Sequence, residues 1–280
     1  MRYLVAVITT FLALAVAPSV MGQESSNNAW GGRAFVTFNV GAQTASPAFG
    51  YEYAATLFQQ SATAALNTPG KTGATFDVGS GLRLLQNLGV GVTYSRYSNQ
   101  RDGMLTTTIP NPLAMYRYLP PGIPTNPSTI SEQIPLQREE DAVHIQAIYR
   151  VPIGSRIQIG AFGGPSYFRC TDDHVTKFQL QAAISPTGVW SVAFQDVSQL
   201  VDRASVWGYH AGGSFTYLAT RHFGVGMTVR YSEATHTTTN HFSDTSNLAP
   251  SGIWGGNDGT TSFTMKHGGI QWNGGVSFHF

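Results

Sequence analysis

One cysteine, Cys170, stands among 280 residues, so an internal disulfide and any CxxC or Cys/His zinc pattern are excluded. Charge is scarce too. Only 11% of residues are Asp, Glu, Lys or Arg, too few to clothe the exposed faces of a soluble helical protein. Nor does the charge have a dominant sign: 16 basic side chains against 15 acidic give +1, which supplies no one-sided field for nucleic acid. After Val16 no apolar run is long enough for a spanning helix. What is abundant is Gly, with 31 residues, and aromatics, at 12%. All-β barrels reach this length as a single unit.

Arg2, the apolar run from Tyr3 to Val16, then Pro18, Ser19 and the small Gly22 have the charge, length and cleavage flank of a secretory signal peptide. Residues 1–22 are therefore expected to be removed and residues 23–280 to form one barrel domain. The run is shorter than the roughly 20 residues of a membrane helix, and the cleavage region holds no Cys for lipidation.

The rest of the chain alternates with period two, the mark of strands with one apolar face. Ala34, Val36, Phe38, Val40 and Ala42 alternate with polar or small residues, Phe35 being the exception; Phe76, Val78, Leu82 and Leu84 form a second set, and Leu88, Val90, Val92 and Tyr94 a third. Further strands are read over 142–151, 157–167, 206–219, 223–232 and the closing segment through Ile270, Trp272, Val276, Phe278 and Phe280. Gly163, Gly164 and Pro165 suggest a bulge in the fifth. Eight strands result. Their connections alternate between turns of a few residues and long segments over about 44–72, 97–140, 170–204 and 233–268, the asymmetry of an outer-membrane barrel.

A soluble lipocalin-like calyx is the rival. It needs a charged outside, whereas here the apolar face carries almost no charge and the other carries Gly, Thr, Ser and Gln. Threading the strands alternately up and down puts Tyr94, Tyr167, Trp207, Tyr209, Tyr231 and Trp272 near one level and Tyr149, Tyr217, Phe223, Phe278 and Phe280 near another, as two interfacial girdles would be. Eight strands leave a bore only just wide enough for side chains. The inward polar residues are expected to be Arg33, Asp77, Arg83, His144, Arg150, His210, Arg230 and His279, with the rim cluster Glu139, Glu140, Asp141 helping to offset the excess of bases.

The signal-like start, the runs GAFGGPSYF (160–168) and GYHAGGSFTYLATRHFGVGMTVRY (208–231), and the terminus GGVSFHF (274–280) make the chain resemble the small outer-membrane β-barrel family, similar to the OmpA transmembrane domain, OmpX and the opacity-type surface proteins. The resemblance implies an eight-stranded antiparallel up-and-down barrel with short periplasmic turns and long outward loops, placed in the outer membrane. It further implies a non-enzymatic surface role without a cofactor or metal. The implied partners are outer-membrane lipid and lipopolysaccharide, the barrel-assembly machinery and an extracellular ligand or surface. Val276, Phe278 and Phe280 match the family's assembly signal. No peptidoglycan-binding domain follows, so a wall-tethering role is not implied.

Catalytic motifs are weak. His241 and Ser243 lie two apart with Glu233 and Asp244 nearby, loosely resembling the lipid-A deacylase barrels. In that family the run is His-x-Ser-Asn, whereas here Asp244 follows the serine. His236, His241 and His267 share the fourth long segment but form no compact zinc pattern. The second segment is rich in Pro and is expected to be stiff and extended. In the third, 177–183 and 189–196 flank Ser185 to Gly188 and read as a projecting hairpin. A barrel-type lipid-A hydrolase and a narrow ion pore remain the alternatives to a surface-presenting barrel.

Overall fold

The computed structural model describes residues 30, 32–44, 48–57, 60–111, 113, 126–184, 190–244 and 258–280; the expected leader, 1–22, lies outside them. Ten strands run in chain order: β1 (Ala34–Thr44), β2 (Phe49–Leu57), β3 (Gln60–Thr68), β4 (Gly73–Arg83), β5 (Leu88–Ile109), β6 (Ser128–Ile153), β7 (Ile157–Ile184), β8 (Trp190–Leu218), β9 (Phe223–Asp244) and β10 (Asp258–His279). Eight of them close a ring: β1, β4, β5, β6, β7, β8, β9 and β10 each pair with the next, and β10 returns to β1 from Phe35↔His279 to Thr44↔Ile270. The ladders between ring neighbours are antiparallel, as expected for an up-and-down barrel.

The strands are far longer than a membrane requires. β8 has 29 residues, roughly 95 Å of extended chain at about 3.3 Å per residue, where about 9–11 tilted residues cross a bilayer. Much of what reads as loop in the sequence is therefore strand: the β5–β6 ladder continues unbroken from Leu88↔Tyr149 to Ile109↔Ser128, and Pro135, expected in a loop, pairs with Asp102. The reason is a change of polarity without a change of pleat. On β5, Leu88 and Val90 are exposed on the same face as Arg96, Gln100 and Asp102 further up, while the inner face passes from Thr93 and Ser95 to Leu105 and Ile109. On β6 the outer face passes from Tyr149 and Ile145 to Gln137 and Gln133, and the inner from Gln146 and His144 to Leu136 and Ile134.

The upper half thus has an ordinary apolar core. Leu66 of β3, Leu105 and Ile109 of β5, Ile134 and Leu136 of β6, Phe263 and Met265 of β10, and Val175, Phe178 and Leu180 of β7 are buried together. Two local devices build it. β3 pairs with β5 at Thr63↔Thr108 to Asn67↔Met104, above the point where β4 leaves β5 at Ala74↔Ser98. β2 then lays Phe49 and Tyr51 on the Phe263 ring, at 6.3 and 5.0 Å between centroids. β7 separates from β6 after Asp172 and, through register shifts at Val175/Lys177 and Gln179/Leu180, meets β9 in parallel at Lys177↔Ser243. Its hairpin with β8, expected over 177–196, thereby crosses the mouth, and the Tyr51 hydroxyl donates to the Val175 carbonyl at 2.6 Å.

Where the upper wall parts from β1, Gly268 and Gly269 take φ of 89° and 140°, a region that side chains with a Cβ rarely enter. A Cβ on Gly268 would meet the Ser232 carbonyl. The expected bulge at Gly163–Pro165 is absent: pairing with β6 lapses between His144↔Ser166 and Ala147↔Gly163 but the register is kept, because Pro165 has no N–H to donate.

Leu136→Ala removes a fully buried side chain of the upper core and is expected to cost about 2–5 kcal/mol. The loss should be local. Hydrogen exchange should accelerate in 97–109 and 128–140 and stay unchanged in 270–279.

Candidate functional site

The outer wall of the lower half is a continuous apolar band. Phe38, Val40, Phe76, Val90, Ile145, Ile159, Phe215, Val225, Met227 and Ile270 are all exposed. A patch on that scale exceeds what soluble monomers leave open to water. Both expected aromatic levels are present. At the upper, Tyr167 and Trp207 rings lie 5.3 Å apart and those of Tyr209 and Tyr231 6.3 Å. At the lower, Phe223 and Phe278 lie 5.5 Å apart and Tyr149, Tyr217 and Phe280 are exposed. Val276 is half-buried, and Phe278 and Phe280 are exposed on the same outer face of β10.

Inside, side chains fill the bore. Trp30, fully buried ahead of β1, closes the bottom: its carbonyl accepts from His279 Nδ1 at 2.6 Å, and the Arg150 guanidinium stacks 4.8 Å over the Trp30 ring and 3.8 Å over Phe35. This explains why Phe35 breaks the alternation of β1. Above lies a small cavity of about 60 Å³ whose lining includes Asp77, Gln146, Arg150 and Arg230. His144 takes one hydroxyl on each ring nitrogen, Ser95 at 2.9 Å and Ser166 at 2.8 Å, and Ser166 also reaches His210 Nδ1 at 2.9 Å.

One hydrogen-bonded chain climbs this interior. Thr75 donates to Asn273 Oδ1 (2.5 Å), Asn273 donates to Asp77 (2.8 Å), and Asp77 pairs with Arg230. Arg230 Nε donates to Gln271 (2.9 Å), Gln271 to Gln43 (2.7 Å), and Gln43 to the Gly268 carbonyl (2.8 Å). At the level of the glycine kink it meets a buried ionic layer. Arg138 donates to Glu140 at 2.8 and 2.5 Å, Glu140 accepts from the Gly268 N–H at 3.1 Å, and Arg138 Nη2 lies 3.0 Å from His267 Nδ1. Asp172 sits between Arg138 (3.4 Å) and Arg101 (3.7 Å). Burial pushes the Glu140 carboxyl up, but the charges of Arg138 and His267 outweigh it and hold the group at about 2. Burial together with His267 lowers His236.

Of the eight expected interior polar residues, Asp77, His144, Arg150, His210, Arg230 and His279 are buried in the bore. Arg33 is a correction: it precedes β1 and is exposed, because its own backbone N–H turns to the Phe280 carbonyl to close the ring. Arg83, at the lower end of β4, is only half-buried. In the rim cluster Glu140 turns inward while Glu139 and Asp141 turn outward to Arg96 (3.0 Å) and the Tyr94 hydroxyl (2.5 Å), as period two demands. The sequence reading missed Trp30, Arg101, Arg138, Asp172 and Gln43; carrying the parity of His144 back through Glu140 would have found Arg138.

His236 and His267 of the fourth long segment are half-buried and buried, in β9 and β10, with His236 Nδ1 3.2 Å from His267 Nε2. No group of three metal-ligating side chains occurs among the described residues. His241 and Ser243, read in a loop, lie in β9 opposite Thr260 and Asp258.

No family model matches this sequence, and no curated protein matches it. Among solved structures it is similar to Neisserial surface protein A (13% identity, 88% of this chain and 97% of that one, TM-score 0.40) and to the outer membrane protein OprG from Pseudomonas aeruginosa (11%, 89% and 97%, 0.47). It is also similar to the outer membrane protease OmpT from Escherichia coli (10%, 89% and 97%, 0.38). At such identities and scores these likenesses carry nothing about activity, and they do not separate an enzyme from a non-enzyme. The barrel stands on its own closed ladder.

Asp77→Ala leaves Arg230 buried without its partner and is expected to cost about 3–5 kcal/mol; Asp77→Ala with Arg230→Met should recover most of it in urea unfolding of the folded barrel. A carboxyl held below its ordinary 4.5 stabilises the fold above that pH and ceases to as pH falls through its folded value. The methyl resonance of Met265, in the upper core, should therefore show a step as pH falls toward about 2, and Glu140→Gln should remove that step. A step centred at pH 6 would contradict the assignment.

Proposed function

We propose that this protein is a non-enzymatic outer-membrane barrel that holds a rigid, apolar-cored β extension outside the cell. The observation that carries the reading is the exchange of faces along single strands. In the lower half the apolar face looks out and the polar face in; in the upper half the same pleat carries polar residues outward and apolar ones inward. Only a chain passing from hydrocarbon into water needs both. The aromatic rings at the two edges of the band fit headgroup levels, and closure of the ring meets the demand that lipid-exposed backbone leave no edge.

In this reading residues 1–22 direct export, and Val276, Phe278 and Phe280 on the outer face of β10 serve the assembly machinery that closes β10 on β1. Lipopolysaccharide is the natural neighbour of the upper aromatic ring. Over the described residues the upper surface is a sheet, so a contact made on it loses little conformational freedom. Conductance is disfavoured by the Trp30 floor and by the bonded chain from Thr75 to Arg138. A hydrolase using His241 and Ser243 is tested by Ser243→Ala, for which we expect unchanged acylation of lipid A in expressing cells.

Two substitutions on one face of β9 test membrane residence. Met227→Arg, midway between the Phe223 and Tyr231 levels of the band, should impair folding into liposomes by about 2–4 kcal/mol. Thr237→Arg, on the same face above the band, should leave folding unaffected. Equal effects would remove the membrane reading.

A further inference from the structure

The outer face of β7 and β8 just above the upper aromatic ring differs from the rest of the circumference. There the ladder sets Arg169 opposite Ser205 and Thr171 opposite Arg203. The two arginines are diagonal neighbours, about 7–8 Å apart across the ladder, and both are exposed. Directly beneath them lies the Tyr167–Trp207 ring pair. Elsewhere at this level outward cations have carboxylates: Arg96 has Glu139 at 3.0 Å and Lys266 has Glu233 at 3.9 Å. Among the described residues no carboxylate lies within ion-pair distance of Arg169 or Arg203.

Three acids flank the patch and each has another partner: Glu139, opposite Thr171, pairs with Arg96. Asp141, opposite Arg169 on β6, accepts from Tyr94 at 2.5 Å, and Asp173, diagonal to Arg203, accepts the Gln137 N–H at 3.0 Å. What remains is a square of two guanidinium forks and two hydroxyls, every one able to donate, at the height where headgroups meet the wall. Such forks match phosphate oxygens in geometry and charge, and an aromatic pair below them offers a flat surface to a sugar ring or to the first methylenes of a chain.

Resting on the membrane reading above, we propose that this patch seats the phosphorylated sugar headgroup of an outer-leaflet glycolipid, with Arg169 and Arg203 clamping one phosphate. The test uses the full chain folded in detergent and in liposomes, with heat-dependent gel mobility as the check on folding. Native mass spectrometry then measures retention of bisphosphorylated lipid A, of the same lipid after dephosphorylation, and of lipid A in the presence of inorganic phosphate.

Arg169→Ala with Arg203→Ala is expected to lower retention at least about tenfold at unchanged gel mobility, as is dephosphorylation of the lipid. The paired Lys substitutions should retain an intermediate amount, because charge survives and the fork does not. Arg96→Ala should retain the wild-type amount. Undiminished retention by the double Ala variant, or equal retention of the dephosphorylated lipid, would overturn the site while leaving membrane residence intact. Displacement by equimolar inorganic phosphate would overturn the glycolipid in favour of a free anion. Failure of the wild type to enter liposomes would overturn the membrane reading and the site together.

Discussion

Everything in this structure depends on the ladder between β1 and β10. Within hydrocarbon a backbone N–H or carbonyl without a partner costs several kcal/mol and has no water to turn to, so a sheet presenting this apolar band is tenable only if its first and last strands meet. Residues 35–44 and 270–279 supply that seam. The N–H groups of Arg33 and Ala34 extend it to the Phe280 carbonyl, which is why Arg33 sits at the rim instead of in the bore. Where the seam ends, at Ile270, the chain uses Gly268 and Gly269 to steer β10 away, and the wall above is completed by β2 and β3.

Closing eight strands leaves an interior too narrow for a channel and too polar to collapse dry. The chain resolves this with a bonded column rather than isolated pairs. Asp77 and Arg230 would each be costly alone, but Asn273, Gln271 and Gln43 pass the remaining donors and acceptors upward to Glu140 and Arg138. The low dielectric strengthens each bond of such a network, although the second carboxylate oxygen of Asp77 takes no hydrogen bond from the described residues. The ionic layer of Arg138, Glu140, Asp172 and Arg101 separates two regimes, a polar bore below and an apolar core above, and lies close to the height at which the outer face changes polarity.

The extension above the band is a folded sheet with its own core, capped by the β7–β8 hairpin. A surface of this sort is shaped before any encounter. Its hydroxyl pairs, such as Thr106 with Ser131 and Thr239 with Ser262, and its outward charges hold defined positions, and Arg169 and Arg203, which have no ion-pair partner among the described residues, stand out against Arg96 and Lys266, which do.

Period two and aromatic placement were legible in the chain because both are local: a strand alternates its faces whatever surrounds it. That was enough for the eight ring strands, the two girdles and most of the polar bore. The strand extensions were not legible. Arg96, Gln100 and Asp102 following Tyr94 read as the end of a strand when apolar residues are taken as the outward mark, and only the neighbouring ladder reveals that the pleat continues with its meaning reversed. Which polar groups pair was equally out of reach, since Asp77 and Arg230 are 153 residues apart and register alone brings them together. The sequence by itself determined which side of each membrane strand is oily, because that is a property of alternate residues. The tertiary structure decided how far the strands run, what fills the bore and which charges remain unanswered, because these depend on strands distant in the chain meeting at a common height.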